Sequence, residues 1–251
     1  LTQRSTLMAT GFVLLMLIAY LEGLLRNKWY WMVVAAVCYF AAVYSKEHSV
    51  AAPGLAIALT FLLRPPSWAL LRQITPFFVL AMLVTVSIVL NMKGVIGELY
   101  EPRAGGMLDQ AQILTPEVAP ETSMSETGEA VSTAPNMLLL SIISQSFLFF
   151  KYILLWLFPN PAWMSVDMRE PLALSLFGWP QSLGVLGFLT YAIGAVWLLC
   201  RRGARGLLGL AMLFPAVLFL TEFSTVRVQE AFVLYRSYLW MPGLLMLLPL
   251  M

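Results

Sequence analysis

Apolar residues run almost unbroken through this chain, and the polar ones are gathered into short islands between the runs. The runs are Leu7–Leu25, Trp29–Tyr44, Val50–Leu63, Pro76–Leu90, Met137–Phe158, Leu183–Cys200, Leu207–Thr221 and Gly243 onward. A helix that crosses a bilayer needs about 20 such residues, and shorter runs suffice when anchors flank them. Trp29, Tyr30, Trp31, Tyr44, Trp68, Trp179 and Trp240 lie near run ends, where an aromatic interface belt places them. The chain starts at Leu1 without a charged leader and closes on what reads as the first half of a further span. The expectation is an internal piece of a longer protein.

Composition sharpens this reading. Of 251 residues, 60% are hydrophobic and 11% charged, and the mean hydropathy is +0.82. A soluble domain is nearer half apolar and a quarter charged. The predicted fold class is therefore all-α: one membrane-embedded helical bundle over residues 1–251, with about six to seven spans plus one interfacial or re-entrant helix. Cys38 and Cys200 sit inside apolar runs and read as small buried residues rather than a disulfide framework. The net charge is +2 and there is no long basic run, which argues against nucleic acid as a partner.

Charge also predicts sidedness. Arg26 and Lys28, Arg64 and Arg72, and Arg201, Arg202 and Arg205 form three basic loops, and basic loops stay on the cytoplasmic side. With all three inside, "SKEHS" (45–49) lies at the outer surface. Three apolar runs separate Arg72 from Arg201, so one of them must fail to cross. Met137–Phe158 carries Ser141, Ser144, Gln145, Ser146 and Lys151, and is expected to lie along the outer interface or to dip in and return. Residues 91–136 then form an external acidic loop, with seven acids against Lys93 and Arg103. Its Pro-, Ser-, Thr- and Glu-rich middle predicts partial disorder.

Three polar islands face that outer side: Gln3 and Arg4 before the first span, Lys46, Glu47 and His48 between the second and third, and Arg227, Glu230, Tyr235, Arg236 and Tyr238 before the last. Ionisable groups at the edge of hydrocarbon are costly unless paired or wet, which makes them functional candidates. Arginine suits bidentate phosphate binding, so the Arg236 region carries the strongest ligand signal. Plainer readings stand beside these. Lys46 can snorkel from a solvated turn while Glu47 neutralises it, and Arg4 can be an ordinary end charge. A single histidine without neighbouring Cys or Asp has no zinc-site spacing. Asp167 and Glu170 are too weak a pair to be read as an acid/base couple. No P-loop, GxSxG, HExxH or dinucleotide fingerprint occurs.

The order "QRSTLMATGFVLLMLIAYLEG", "YSKEHSVAAPGLAIAL", "QEAFVLYRSYLWMPG" resembles bacterial GT-C membrane glycosyltransferases, in particular relatives of the transmembrane, tetratricopeptide-repeat O-mannosyltransferases. The residues carrying the resemblance are Gln3-Arg4, Ser45-Lys46-Glu47, and Glu230 with Arg236-Ser237-Tyr238-Leu239. Glu230 lies further from Arg236 than the family pattern has it, and Trp240 and Met241 separate "YL" from Pro242.

The resemblance implies transfer of a sugar from a polyprenyl-phosphate donor to a protein or glycan acceptor, at the periplasmic face of a bacterial inner membrane. It implies a catalytic acid upstream of Leu1, so the catalytic residue is unknown here, and a repeat domain beyond Met251. Membrane lipids are the remaining partner. The expected donor-phosphate ligands are Lys46, Arg236, Arg4 and His48, supported by Glu47, Glu230, Tyr238 and Gln3. No cofactor is predicted, and the sequence leaves a divalent metal open. The alternative is a polytopic transporter or flippase for a lipid-linked or anionic substrate, and a third reading is a non-catalytic scaffold. No internal pairing of halves favours a transporter.

Overall fold

The computed structural model describes residues 2–91, 135–160, 179–226 and 232–247, without the side chains of 2–3 and 135–137. Most of the acidic segment 91–136, and Asp167, Arg169, Glu170, Arg227 and Glu230, lie outside the described residues. The rest is helical: α1 (Thr2–Arg26), α2 (Trp29–Ser45), α3 (Pro53–Leu63), α4 (Trp68–Asn91), α5 (Pro135–Leu157), α6 (Gln181–Cys200), α7 (Gly203–Phe219) and α8 (Met241–Leu245). Three short 3₁₀ turns join them: η1 (Glu47–Ala51), η2 (Leu220–Ser224) and η3 (Leu234–Leu239).

Among the described residues, five helices are long and apolar enough to cross a membrane, and α2 and α3 are shorter apolar helices. The bundle is thus the all-α architecture that the apolar runs predict, compatible with a multi-pass membrane protein. Its outer surface carries large apolar side chains such as Val79, Met82, Leu83, Leu186 and Ile193, as a surface in hydrocarbon requires. Burial differs sharply between helices: 61% of the α7 span is buried against 11% of α4. The α7 helix is therefore central, and α4 is a peripheral element resting on α2.

Two features set the helix ends differently from the apolar pattern. The run taken to begin at Pro76 belongs to a helix that starts at Trp68 and continues through that proline. Pro215 likewise lies inside α7. Proline removes one helical hydrogen bond without ending a helix that its neighbours hold in place. Small residues set the close crossings. The Gly184 position in α6 abuts the Phe147 backbone of α5, and Gly209 in α7 abuts the Leu199 backbone of α6, so a Cβ at either site would collide.

The two ends of the bundle are chemically distinct. At one, Arg64 Nη2 donates to the Leu24 carbonyl at 2.7 Å and Gln73 Nε2 to that of Gly23 at 2.6 Å, fastening the last turn of α1. Leu62 packs beside Gly206 at this end, so all three basic loops meet there. The other end gathers the start of α1, η1, η2 and η3. The three loops that the charge rule groups together do share an end, and the "SKEHS" and Arg236 islands share the opposite one.

The α5 helix turns its polar residues inward: Ser141, Ser144, Gln145 and Ser146 are all buried in the bundle. The Ser144 and Ser146 hydroxyls are satisfied by the carbonyls of Leu140 and Ile142, and Ser141 Oγ reaches the Thr225 carbonyl at 3.4 Å. Serines that bond one turn back carry their polarity into an apolar environment at small cost, so their presence does not mark an exposed face. Residues 138–157 are also long and apolar enough to cross. Even so, Ser141 near its start and Trp156 near its end are both tied to the segments around η2 and η3.

Candidate functional site

The site begins where α2 stops. Lys46 takes an extended conformation (φ −158°, ψ 120°) while its N–H still closes on the Ala42 carbonyl at 3.0 Å. This break turns the chain into η1, and Pro53, pre-set for the first helical turn, launches α3. Lys46, Glu47 and His48 are therefore displayed on a turn wedged between two helices. The turn is held from beneath by the Tyr39 hydroxyl, which donates to the Val50 carbonyl at 3.1 Å and meets Thr85 Oγ1 at 2.8 Å.

A second segment supplies the facing wall. The α7 helix runs up the centre of the bundle and tightens into η2, whose Glu222 side chain is only 6% exposed. The third wall is η3, carrying Arg236 at 7% side-chain exposure. Aromatic groups fix η3 in place. The Tyr152 hydroxyl accepts from the Val233 N–H at 2.8 Å and donates to its carbonyl at 3.1 Å. Trp156 Nε1 donates to Ser237 Oγ at 2.9 Å, and Thr10 Oγ1 donates to the Tyr238 carbonyl at 3.2 Å.

These walls bring five ionisable groups into one chain of contacts. Lys46 Nζ lies 3.4 Å from Glu47 Oε1, and His48 Nδ1 lies 3.2 Å from that same oxygen. His48 Nε2 faces Glu222 Oε1 at 3.2 Å, and Glu222 Oε2 faces Arg236 Nη1 at 4.0 Å. Acid and base alternate along the path. Both imidazole nitrogens face carboxylate oxygens, and only the imidazolium carries a proton on each. Burial alone would raise the Glu47 carboxyl. The hydrogen bond and charge of His48, its own backbone N–H and the Lys46 ammonium outweigh that and hold it at about 2.

In charge, three groups able to carry a positive charge meet two carboxylates. The Arg236–Glu222 separation of 4.0 Å exceeds hydrogen-bond range. Low exposure strengthens any further anion contact made here. Among the described residues, no group of three or more His, Cys, Asp or Glu could hold a metal ion.

Of the residues expected from sequence, Lys46, Glu47, His48 and Arg236 meet in this cluster. Tyr238 is half-buried next to it, with its ring 6.0 Å from that of Trp156. Arg4 lies on the first turns of α1, at the same end but exposed. The Gln3 side chain and Glu230 lie outside the described residues. Glu222 links the two halves of the cluster, and the sequence reading passed over it. Its signal was present: an acid just past the apolar run ending at Thr221, the same boundary position that drew attention to Lys46. No protein-family model, curated protein or solved structure matches the chain.

Proposed function

We propose that the chain is the donor-binding part of a membrane glycosyltransferase, moving a sugar from a polyprenyl-phosphate carrier to a protein or glycan acceptor. One observation carries the reading: Lys46 and Arg236, distant in sequence, belong to one chain of ionic contacts through Glu47, His48 and Glu222, half-buried at Lys46, Glu47 and His48 and buried at Glu222 and Arg236. A phosphate at the edge of hydrocarbon needs cations held at that depth and shielded from water. Lys46 supplies a point charge, Arg236 a planar fork, and His48 a further N–H. Glu47 and Glu222 orient these donors and keep the empty site from carrying unbalanced positive charge. On this reading the protein belongs in a bacterial inner membrane with the cluster facing the periplasm.

The test is sugar transfer by the full-length protein from a polyprenyl-phosphate-linked donor. Lys46→Ala and Arg236→Ala should each lower the rate at least tenfold, with membrane insertion unchanged. A charged hydrogen bond contributes about 1.5–3 kcal/mol, which corresponds to a loss of this size or larger. Wild-type rates in both variants would reject the proposal.

A transporter remains the second reading because of one feature, the Glu47–His48–Glu222 alternation. Acid–imidazole–acid chains are what proton-coupled carriers use inside the bilayer. Liposomes holding the protein would then acidify on addition of substrate, and His48→Gln would abolish the proton movement. Transfer without proton flux favours the enzyme.

A further inference from the structure

The helices α3 and α4 are consecutive in the chain, yet α4 rests on α2 and leaves a lateral slot along α3. Two clefts open along that slot and share Phe78. One, of about 360 Å³, lies between Val50–Gly54 and Ala81–Val86 below the ionic cluster. The other, of about 120 Å³, lies at the opposite end and is lined by Ile57, Thr60, Phe61, Leu70, Ile74 and Phe78, with Arg64 and Pro66 at its mouth. Apart from Thr60 and Arg64, the second cleft is lined by apolar residues. The Thr60 hydroxyl is engaged at 2.6 Å by Tyr20.

The charge around this mouth is one-sided. Arg26, Lys28, Arg64, Arg72, Arg201, Arg202 and Arg205 occupy the three loops of this end, with Glu22 as their acidic neighbour, paired to Arg26. Arg201 lies over the Trp197 ring at 4.6 Å, keeping its charge at the surface. Arg64 is the half-buried member of the group and the one that lines the cleft. It spends one N–H on the Leu24 carbonyl, and the guanidinium carries four more.

We propose that this cleft is a binding site for an anionic phospholipid, with one acyl chain between Ile57 and Ile74 and the phosphate on Arg64. Hydrocarbon walls accept the chain, and the basic loops select for a net negative headgroup over a zwitterionic one. The site stands at the opposite end of the bundle from the ionic cluster and is independent of the proposed sugar transfer.

Native mass spectrometry of the full-length protein, released from micelles doped equally with phosphatidylglycerol and phosphatidylcholine, tests this. The wild type should retain phosphatidylglycerol at least fivefold over phosphatidylcholine, as expected for roughly 1 kcal/mol of discrimination per basic residue near the headgroup. Arg64→Gln removes the guanidinium from the cleft and should lower the ratio about fivefold. Ile57→Trp fills the cleft from an exposed position and should lower retention of both lipids. Met82→Trp, in the other cleft, should change nothing. Equal retention of the two lipids by the wild type, an unchanged ratio in Arg64→Gln, or full retention in Ile57→Trp would overturn the proposal. So would loss of retention in Met82→Trp alone.

Discussion

At the scale of single residues, Glu222 decides how the cluster holds together. It is buried and faces both His48 and Arg236. Removing one partner from a buried ionic set leaves the others uncompensated, at a cost of about 3–5 kcal/mol. Glu222→Ala should therefore lower the thermal midpoint of the purified protein by several degrees, as followed by unfolding in detergent. The double variant Glu222→Ala/Arg236→Ala should recover part of that loss, since the stranded guanidinium is then gone. Additive losses would show that the two side chains are not coupled. Glu47 behaves differently. Its folded carboxyl is held at about 2 against an ordinary value of 4.5, so its contribution is fully present above 4.5 and fades only as pH falls towards 2. Wild type and Glu47→Gln should differ in stability by a constant amount above pH 4.5, and the difference should shrink below it. A gap that opens only below pH 4.5 would contradict the assignment.

At the scale of elements, glycines govern the helix crossings. A side chain at Gly209 would meet the backbone of Leu199 and Ala195. Gly209→Leu should push α7 away from α6 and displace η2 with it, since η2 continues directly from α7. The expected outcome is a destabilised protein with weakened function, read by thermal unfolding and by transfer activity. Gly194, which meets nothing nearby, should accept Ala without loss. The helices themselves were legible because each is a long apolar run, and this pattern survives any detail of packing. Their starts were less legible. Pro76 reads as a boundary, yet α4 passes through it, because α2 packed alongside holds the helix through the missing bond. The burial of the α5 serines was not legible either: serine looks polar in sequence, and its hydroxyl is satisfied when it bonds one turn back.

At the scale of the whole molecule, the bundle has one basic end and one end that carries the ionic cluster. The positive loops made that division readable before any coordinates, because charge near span ends reports sidedness directly. Lys46 and Arg236 could be grouped at one end on the same argument. That they connect through Glu222 could not, since a contact between η1, η2 and η3 depends on how three separate helices are packed. Sidedness can be checked with a Cys38→Ala/Cys200→Ala background and single cysteines at Tyr44 and Ser67, both exposed. The account expects the first to react with an impermeant maleimide in intact cells and the second only after permeabilisation. The reverse order would place the cluster on the cytoplasmic side. The most direct measurement of the central claim is binding of polyprenyl phosphate to the full-length protein in nanodiscs, with polyprenol as the uncharged control. The account predicts phosphate-dependent affinity that falls at least tenfold in both Lys46→Ala and Arg236→Ala. Equal binding of alcohol and phosphate, or wild-type affinity in both variants, would contradict it.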